Sequence, residues 1–476
     1  MAVALFIFAF AVRIISLLTS GGFDSVQGYD DGVYYSAAAA FNHGLIPYKD
    51  FVLVHPPGIL IILTPFIWLA HLTSDSFGLT MGRIFFMLIG ATSTVLIYKI
   101  GRRFNRTAAV IAALIYAVWA PMVRVERTLY LEGIGSLALL LALYHLPKAR
   151  APKIRVVLSG LFLGFAVATK LWFAVPVAVI TLWFLLSREL KNAITLGLTS
   201  LATFGAVISW FWWKAGSKFW DLVLTAQINR NGGHISLSTR IDQIFNFASL
   251  KFIDDRKLRF FIGLTIVLLL TLPFLKYFRK REQGLLILML FATQFVVLLQ
   301  TPVFFNAYPS FLAATFALIA GITLGQIHRN FLTGTLISFF IVISLNSTLT
   351  QIHGRDLPTK IEQLPLQKSK CVTSDDPSIL ALTNSLTKDL NNKCHLIFDV
   401  TGVIYGIDNG ANPYQETAST RRLKSERYQR EISKYLDSGA TIILGRVGHN
   451  GLRPETYRDL YKGRTVTKTK SFVIIS

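Results

Sequence analysis

The residues that could do chemistry lie between apolar stretches instead of within one polar domain. Asp30-Asp31 follows the first hydrophobic run, Met1 to Leu18, and precedes Tyr48-Lys49-Asp50 and Val54-His55-Pro56-Pro57. Arg83 comes next, then Arg124-Val-Glu126-Arg127 with Glu132 five residues on, then Lys170. Two adjacent carboxylates at the mouth of a bilayer are costly to place and call for a reason. A carboxylate there can take a proton from a hydroxyl. Histidine, lysine and arginine aimed at a phosphate stabilise the charge it gains as a bond to it breaks, arginine through paired hydrogen bonds. Each residue also has an ordinary reading. Asp30 and Asp31 could cap a helix and interact with its dipole, worth up to about 1 kcal/mol. Arg83 and Lys170 could snorkel from span ends, Arg127 could pair with Glu126 or Glu132, and His55 could simply precede two prolines.

The elements that must position these groups follow from composition. Of 476 residues 53% are hydrophobic and only 16% charged, too apolar for a soluble globular protein, so the chain is a polytopic α-helical membrane protein. The net charge of +22 would suggest a nucleic-acid partner if it lay on one soluble face. Instead many basic residues fall in short clusters between apolar runs: Arg102/Arg103/Arg106, Lys148/Arg150/Lys153/Arg155, Arg188/Lys191, Lys276/Arg279/Lys280/Arg281 and Arg329. That is the positive-inside pattern, which makes those loops cytoplasmic and excludes a nucleic-acid reading.

With Met1 inside, eleven spans are expected near 1–18, 78–100, 107–122, 131–146, 155–169, 171–187, 193–213, 258–275, 284–300, 309–327 and 331–349, against the ~20 residues a bilayer requires. Every basic cluster then lands inside, provided the apolar run Pro57 to Leu72 lies at the outer interface and does not cross. A full span there, with Met1 outside, is the alternative. No basic segment precedes the first apolar run, as a cleaved signal peptide would need.

From about Gln351 the chain turns polar, so residues 1–350 read as the membrane domain and 351–476 as an extracytoplasmic soluble α/β domain with its own core. Strands are expected near Lys370, over His395 to Val400, over Thr441 to Leu444 and at Phe472 onward. Helices are expected over Ser378 to Asp389, Ser425 to Leu436 and Pro454 to Tyr461. Cys371 and Cys394 are the chain's two cysteines. An oxidising compartment predicts a disulfide between them, worth about 3 kcal/mol for a loop of that order; no His or Cys stands at ligand spacing to make them a metal site.

Asp30 and Asp31 begin a helix that His43-Gly44 and Pro47 stop. Neighbours on a helix point about 100° apart, so the two carboxylates cannot enter one site equally. The outer loop Lys214 to Lys257 is too long for a plain connector, and Gly232-Gly233 would let it move over the site.

In order and topology these residues resemble the GT-C superfamily of polyprenyl-phosphate-sugar-dependent glycosyltransferases over about residues 1–350. The likeness is to the protein O-mannosyltransferases of family 39 and the aminoarabinose transferases, with a soluble domain more like that of actinobacterial members. The resemblance implies that Asp30 is the catalytic base with Asp31 beside it, and that His55 of the His-Pro-Pro triplet lies near the donor phosphate. It sets Arg127 and Glu132 in register with a recurring Arg and acidic pair, and maps Ala168-Thr169-Lys170 onto a motif of the fifth and sixth helices. Arg127, Lys170 and Arg83 are further phosphate-binding candidates and Glu132 a supporting acid. The donor would be a polyprenyl-phosphate sugar and the acceptor a cell-envelope glycan, lipid or protein. No metal is required, though a divalent cation beside Asp30 and Asp31 stays open.

The rivals are a transporter or flippase of a lipid-linked or polar substrate, and a scaffold that presents the soluble domain. A transporter more often shows two related halves and charges at mid-membrane depth. A scaffold leaves the acidic outer loop unexplained.

Overall fold

The computed structural model describes all residues except 276–281, 328–330, 351, 358–365, 367 and 409–414. The basic clusters at Lys276 to Arg281 and at Arg329 lie wholly or in part outside the described residues. The chain forms two compact units. One comprises 1–19, 85–207 and 234–352, and the other 20–84, 208–233 and 353–476.

The first unit is a helical bundle. It contains α1 (Ala2–Leu18), most of α4 (Asp75–Gly101), α5 (Arg106–Val118), α6 (Ala120–Glu126) and α7 (Leu131–His145), followed by helices Lys153–Val167, Ala174–Leu186, Arg256–Thr271, Glu282–Gln300, Ala313–Ile327 and Phe331–Thr350. A described helix coincides with each of the eleven expected spans. Among the described residues, five helices suffice by length and apolarity to cross a membrane, six if the bent pair α5 and α6 counts as one. Five other apolar helices, α1, α7 and Gly58–Leu72 among them, are shorter.

The 64° bend between α5 and α6 has a local cause. Pro121 has no N–H for the Ala117 carbonyl four residues earlier, and its ring would clash with it. A carbonyl freed inside a bilayer needs a partner, and Arg13 Nη1 donates to it at 3.4 Å while Thr348 Oγ1 donates to the Val118 carbonyl at 2.6 Å. Arg13 therefore faces the bundle, fully buried. Close packing elsewhere uses small residues: a Cβ on Gly321 or Gly325 of Ala313–Ile327 would fall 2.5 Å from the backbone of Ala112 or Ala108 on α5.

The second unit joins α2 (Tyr29–Asn42) and α3 (Gly58–Leu72) to the polar C-terminal segment. That segment builds a four-stranded sheet from β1 (Val372–Ser374), β2 (Thr441–Leu444), β3 (Val466–Lys468) and β4 (Val473–Ile475), in the order β1-β2-β4-β3. β1 and β2 run parallel; β4 is antiparallel to both β2 and β3. Helix Glu426–Asp437 packs Tyr428, Ile432, Tyr435 and Leu436 into the core beside Ile442 and Leu444. Cys371 and Cys394 are disulfide-bonded, with Cα atoms 5.9 Å apart.

Two expectations for this segment need correction, and β3 was not anticipated. His395 to Val400 is not a strand: Lys393 is in the left-handed region, and Asp399 accepts from Gly402 N through its own carboxylate and starts the unexpected short helix Val403–Ile407. Ser378 to Asp389 is two helices, Pro377–Leu382 and Leu386–Asn391, broken at Asn384 with φ 55°. β3 was not expected, because Val466-Thr467-Lys468 is short and only half-buried.

Candidate active site

The acidic pair stands in the first turn of α2. Its N-cap position is Gly28, which has no side chain to cap with, and the helix ends at His43-Gly44, where Gly44 takes φ 94°. The 100° step between neighbours separates the two carboxylates as expected. Asp31 is fully buried and pairs with Arg83, whose Nε donates to its Oδ2 at 3.0 Å. Arg83 also donates to the carbonyls of Phe23 and, at 3.2 Å, Ser25. Arg83 thus does not snorkel: it is fully buried and committed to Asp31 and the loop that leads into α2. Asp30 is half-buried.

The C-terminal segment of the same unit grips α2. The Tyr29 hydroxyl donates to Asp399 Oδ1 at 2.9 Å and accepts from Thr401 N at 3.0 Å, and the Arg446 guanidinium lies 3.9 Å from the centre of its ring. Burial, then the Asp399 carboxylate, push the Tyr29 phenol well above its ordinary range and keep it a donor. Ser378 Oγ donates to the Gly28 carbonyl at 3.2 Å. Residue 32 has to be glycine here, since a Cβ would lie 2.2 Å from the Ser378 nitrogen. Asp375 and Asp376, read in the sequence as a helix start, brace this contact. Asp376 caps Pro377–Leu382 and pairs with Arg355, while Asp375 accepts from Gly445 N, Arg446 N and Asn450.

His55 is in this unit as well. Its ring meets Tyr34 of α2 edge-on at 6.0 Å between centroids, and its carbonyl accepts from the Tyr48 hydroxyl at 2.7 Å. Within the long loop Lys214 to Lys257, Gln227 donates to the carbonyl of Val54 and Asn231 to that of Gln415. One boundary between the two units falls just after Gly233, within this loop.

The first unit holds the other predicted residues. Arg127, fully buried, donates to the Ser16 carbonyl at the end of α1. Glu126 pairs with Arg13 and accepts from Tyr116 at 2.7 Å. Glu132 pairs with Lys170, whose Nζ also lies 4.5 Å and 4.6 Å from the ring centres of Trp172 and Tyr308. Among the described residues no three His, Cys, Asp or Glu side chains gather as metal ligands would. Sequence reasoning missed Tyr29, Gly32, Asp399 and Arg446. Separations of about 370 residues leave no local signal, although the adjacency of Tyr29 and Gly32 to the acidic pair was a hint.

Comparison with known proteins decides the class. The sequence model of glycosyltransferase family 87 matches residues 53–302, more than half of the chain. The chain belongs to glycosyltransferase family 87. The family 87 match spans His55, Arg83, Arg127, Glu132 and Lys170 and begins after the acidic pair. No curated protein matches this family 87 glycosyltransferase. Among solved structures, ArnT from Cupriavidus metallidurans bound to undecaprenyl phosphate shares its fold at 14% identity and a TM-score of 0.56, covering 99% of this chain and 97% of that one. The Archaeoglobus fulgidus oligosaccharyltransferase AglB, in complex with an inhibitory peptide and a dolichol-phosphate, is similar at 12% identity and a TM-score of 0.53, over 100% and 74% of the two chains. The family 87 enzyme therefore has a GT-C fold.

Proposed function

We propose that this enzyme moves a sugar from a polyprenyl-phosphate donor to a hydroxyl of an extracytoplasmic acceptor, with Asp30 as general base. The Asp30 carboxylate takes the acceptor proton. The acceptor oxygen forms its bond to the sugar C1 while the bond from C1 to the phosphate oxygen breaks, and the polyprenyl phosphate leaves with that electron pair. His55 is the cation assigned to the leaving phosphate; phosphate roles for Arg127 and Lys170 rest on the family resemblance alone. Arg83 is reassigned to holding Asp31, which in turn fixes the turn that carries Asp30. The membrane glycosyltransferases of this fold with undecaprenyl phosphate or dolichol-phosphate bound support the donor class.

The observation that carries the reading is the division within the first turn of α2: Asp31 is buried in an ion pair and Asp30 is half-exposed. Asp30→Asn keeps the shape and removes the base. In membranes supplied with a labelled polyprenyl-phosphate sugar, label transfer should fall by about 10²–10⁴-fold. Full transfer by the variant at normal abundance would remove Asp30 as base.

A further inference from the structure

His55 sits between two peptide planes that are each held from outside. Val54 supplies the carbonyl of the plane before it, and the side-chain amide of Gln227 donates to that carbonyl. His55 supplies the carbonyl of the plane after it, and the Tyr48 hydroxyl donates to that one at 2.7 Å. A residue has only two soft backbone dihedrals, so fixing both planes fixes the point from which the imidazole projects. Pro56 narrows the choice further, because a residue before proline is pushed out of the helical region. The Tyr34 ring, edge-on to the imidazole, confines the side chain as well.

Both donors are themselves anchored. Tyr48 is buried and takes φ 68°, a left-handed conformation uncommon for so bulky a residue. It is kept there by its N–H donating to the Phe51 carbonyl at 2.8 Å and by its ring meeting Phe219 edge-on at 4.9 Å between centroids. Burial holds its phenol well above the ordinary range, so it stays a donor. Gln227 follows the π-helical turn Asp221–Thr225, a rare geometry that is frequent at functional sites. On one side of Gln227 the residues Phe219, Val223 and Ala226 are fully buried. On the other side the Arg230 guanidinium lies 4.9 Å from the centre of the Tyr405 ring, and Asn231 donates to the Gln415 carbonyl at 2.6 Å. The outer loop is thus held on both sides of Gln227.

We propose that Gln227 and Tyr48 are positioning residues for His55, holding its backbone so that the imidazole is presented at one place to the leaving phosphate. The proposal rests on the assignment of His55 to that phosphate. A displacement of about 1 Å at a reacting group can cost ~10²-fold in rate. Loss of one anchor of two should cost less, since Pro56 and the other anchor remain. The phosphate gains charge as its bond to C1 breaks, so a misplaced His55 should lower kcat more than donor affinity.

The test is steady-state transfer of labelled sugar by the full chain in membranes, at equal abundance, for Gln227→Met, Tyr48→Phe and His55→Ala, and for each of the first two combined with His55→Ala. Gln227→Met keeps the length of the side chain and loses the donor; Tyr48→Phe loses only the hydroxyl. Each should lower kcat about tenfold with donor KM within about twofold of native. Residues that act as a unit are not additive, so in the His55→Ala background neither change should cost more than about twofold. If Gln227→Met does not accumulate, Tyr48→Phe decides, because it leaves the packing intact. A loss that persists in full in the His55→Ala background would mark a merely structural role and overturn the proposal, as would native turnover by both single variants. His55→Ala transferring like the native chain would instead remove the phosphate assignment on which the proposal rests.

Discussion

Asp31 and Arg83 show how one residue's environment decides its role. Two charges taken out of water repay their desolvation only when the geometry is good, and removing one partner leaves the other buried and uncompensated at a cost of about 3–5 kcal/mol. Arg83→Gln should therefore lower the thermal unfolding midpoint of the detergent-purified protein markedly. The double variant Asp31→Leu with Arg83→Leu should be less destabilised than either single change. A double variant as unstable as the sum of the two singles would show that the pair is not the unit that matters. A second residue-scale prediction concerns Asp375, whose carboxyl is pushed up by burial to about 6. Its pKa in an unfolded chain is about 3.9. The folded form holds this proton more tightly, so the stabilisation is fully present below about pH 4 and is lost as pH rises through about 6. Asp389, also pushed up by burial to about 6, acts with the same sign. Hydrogen exchange of β2, corrected for the intrinsic rate, should slow as pH falls from 7 to 5, by an amount on the order of 2–3 kcal/mol in protection. Asp375→Asn should remove about half of that dependence, leaving the part due to Asp389.

Among the elements, α2 matters most, because its first turn carries the acidic pair and its flanks are held by the C-terminal segment through Tyr29, Gly28 and Gly32. A displacement of about 1 Å at a reacting group can cost 10²-fold in rate. Gly32→Ala puts a Cβ against the Ser378 backbone, which cannot rotate away. The expected outcome is a fall in turnover of about 10–100-fold with little change in donor KM. Gly205→Ala is the control, since its Cβ would meet nothing within 4 Å. Tyr29→Phe, which removes only the hydroxyl bridging Asp399 and Thr401, should fall between the two. If Gly32→Ala and Gly205→Ala turned over alike, the grip of the C-terminal segment on α2 would have no bearing on the reaction.

For the whole molecule, the topology remains the largest prediction. The helix Gly58–Leu72 has fifteen residues and an internal Pro65. At 1.5 Å per residue it spans about 22 Å, short of the ~30 Å hydrocarbon core; α7, counted among the spans, has fifteen residues too, so length alone does not settle whether Gly58–Leu72 crosses. Because the two natural cysteines are bonded to each other, an introduced thiol is unique. Cysteines at Asn105 and Ser187 should resist impermeant thiol reagents in intact cells, while one at Ser425 should be labelled. Labelling at Asn105 would sink the eleven-span arrangement and with it the outward placement of Asp30.

Membrane class, the helix at each expected span, the stop of α2 at His43-Gly44, β2 and the helix Pro454–Tyr461 were legible in the sequence. Each is set by local rules: apolar length, capping residues and runs of β-formers act within a few residues. The acidic pair could be singled out for the same reason, since adjacent carboxylates beside an apolar run are anomalous wherever the chain goes next. What separates Asp30 from Asp31 was not legible. A helix dictates that the two diverge, but which one is buried depends on Arg83, 52 residues away. Composition changes at about Gln351, yet residues 20–84 and 208–233 join 353–476 in one compact unit. That grouping depends on contacts such as Tyr29 with Asp399 and Gly32 with Ser378. Such contacts depend on complementarity between distant surfaces, which no periodicity or propensity along the chain encodes.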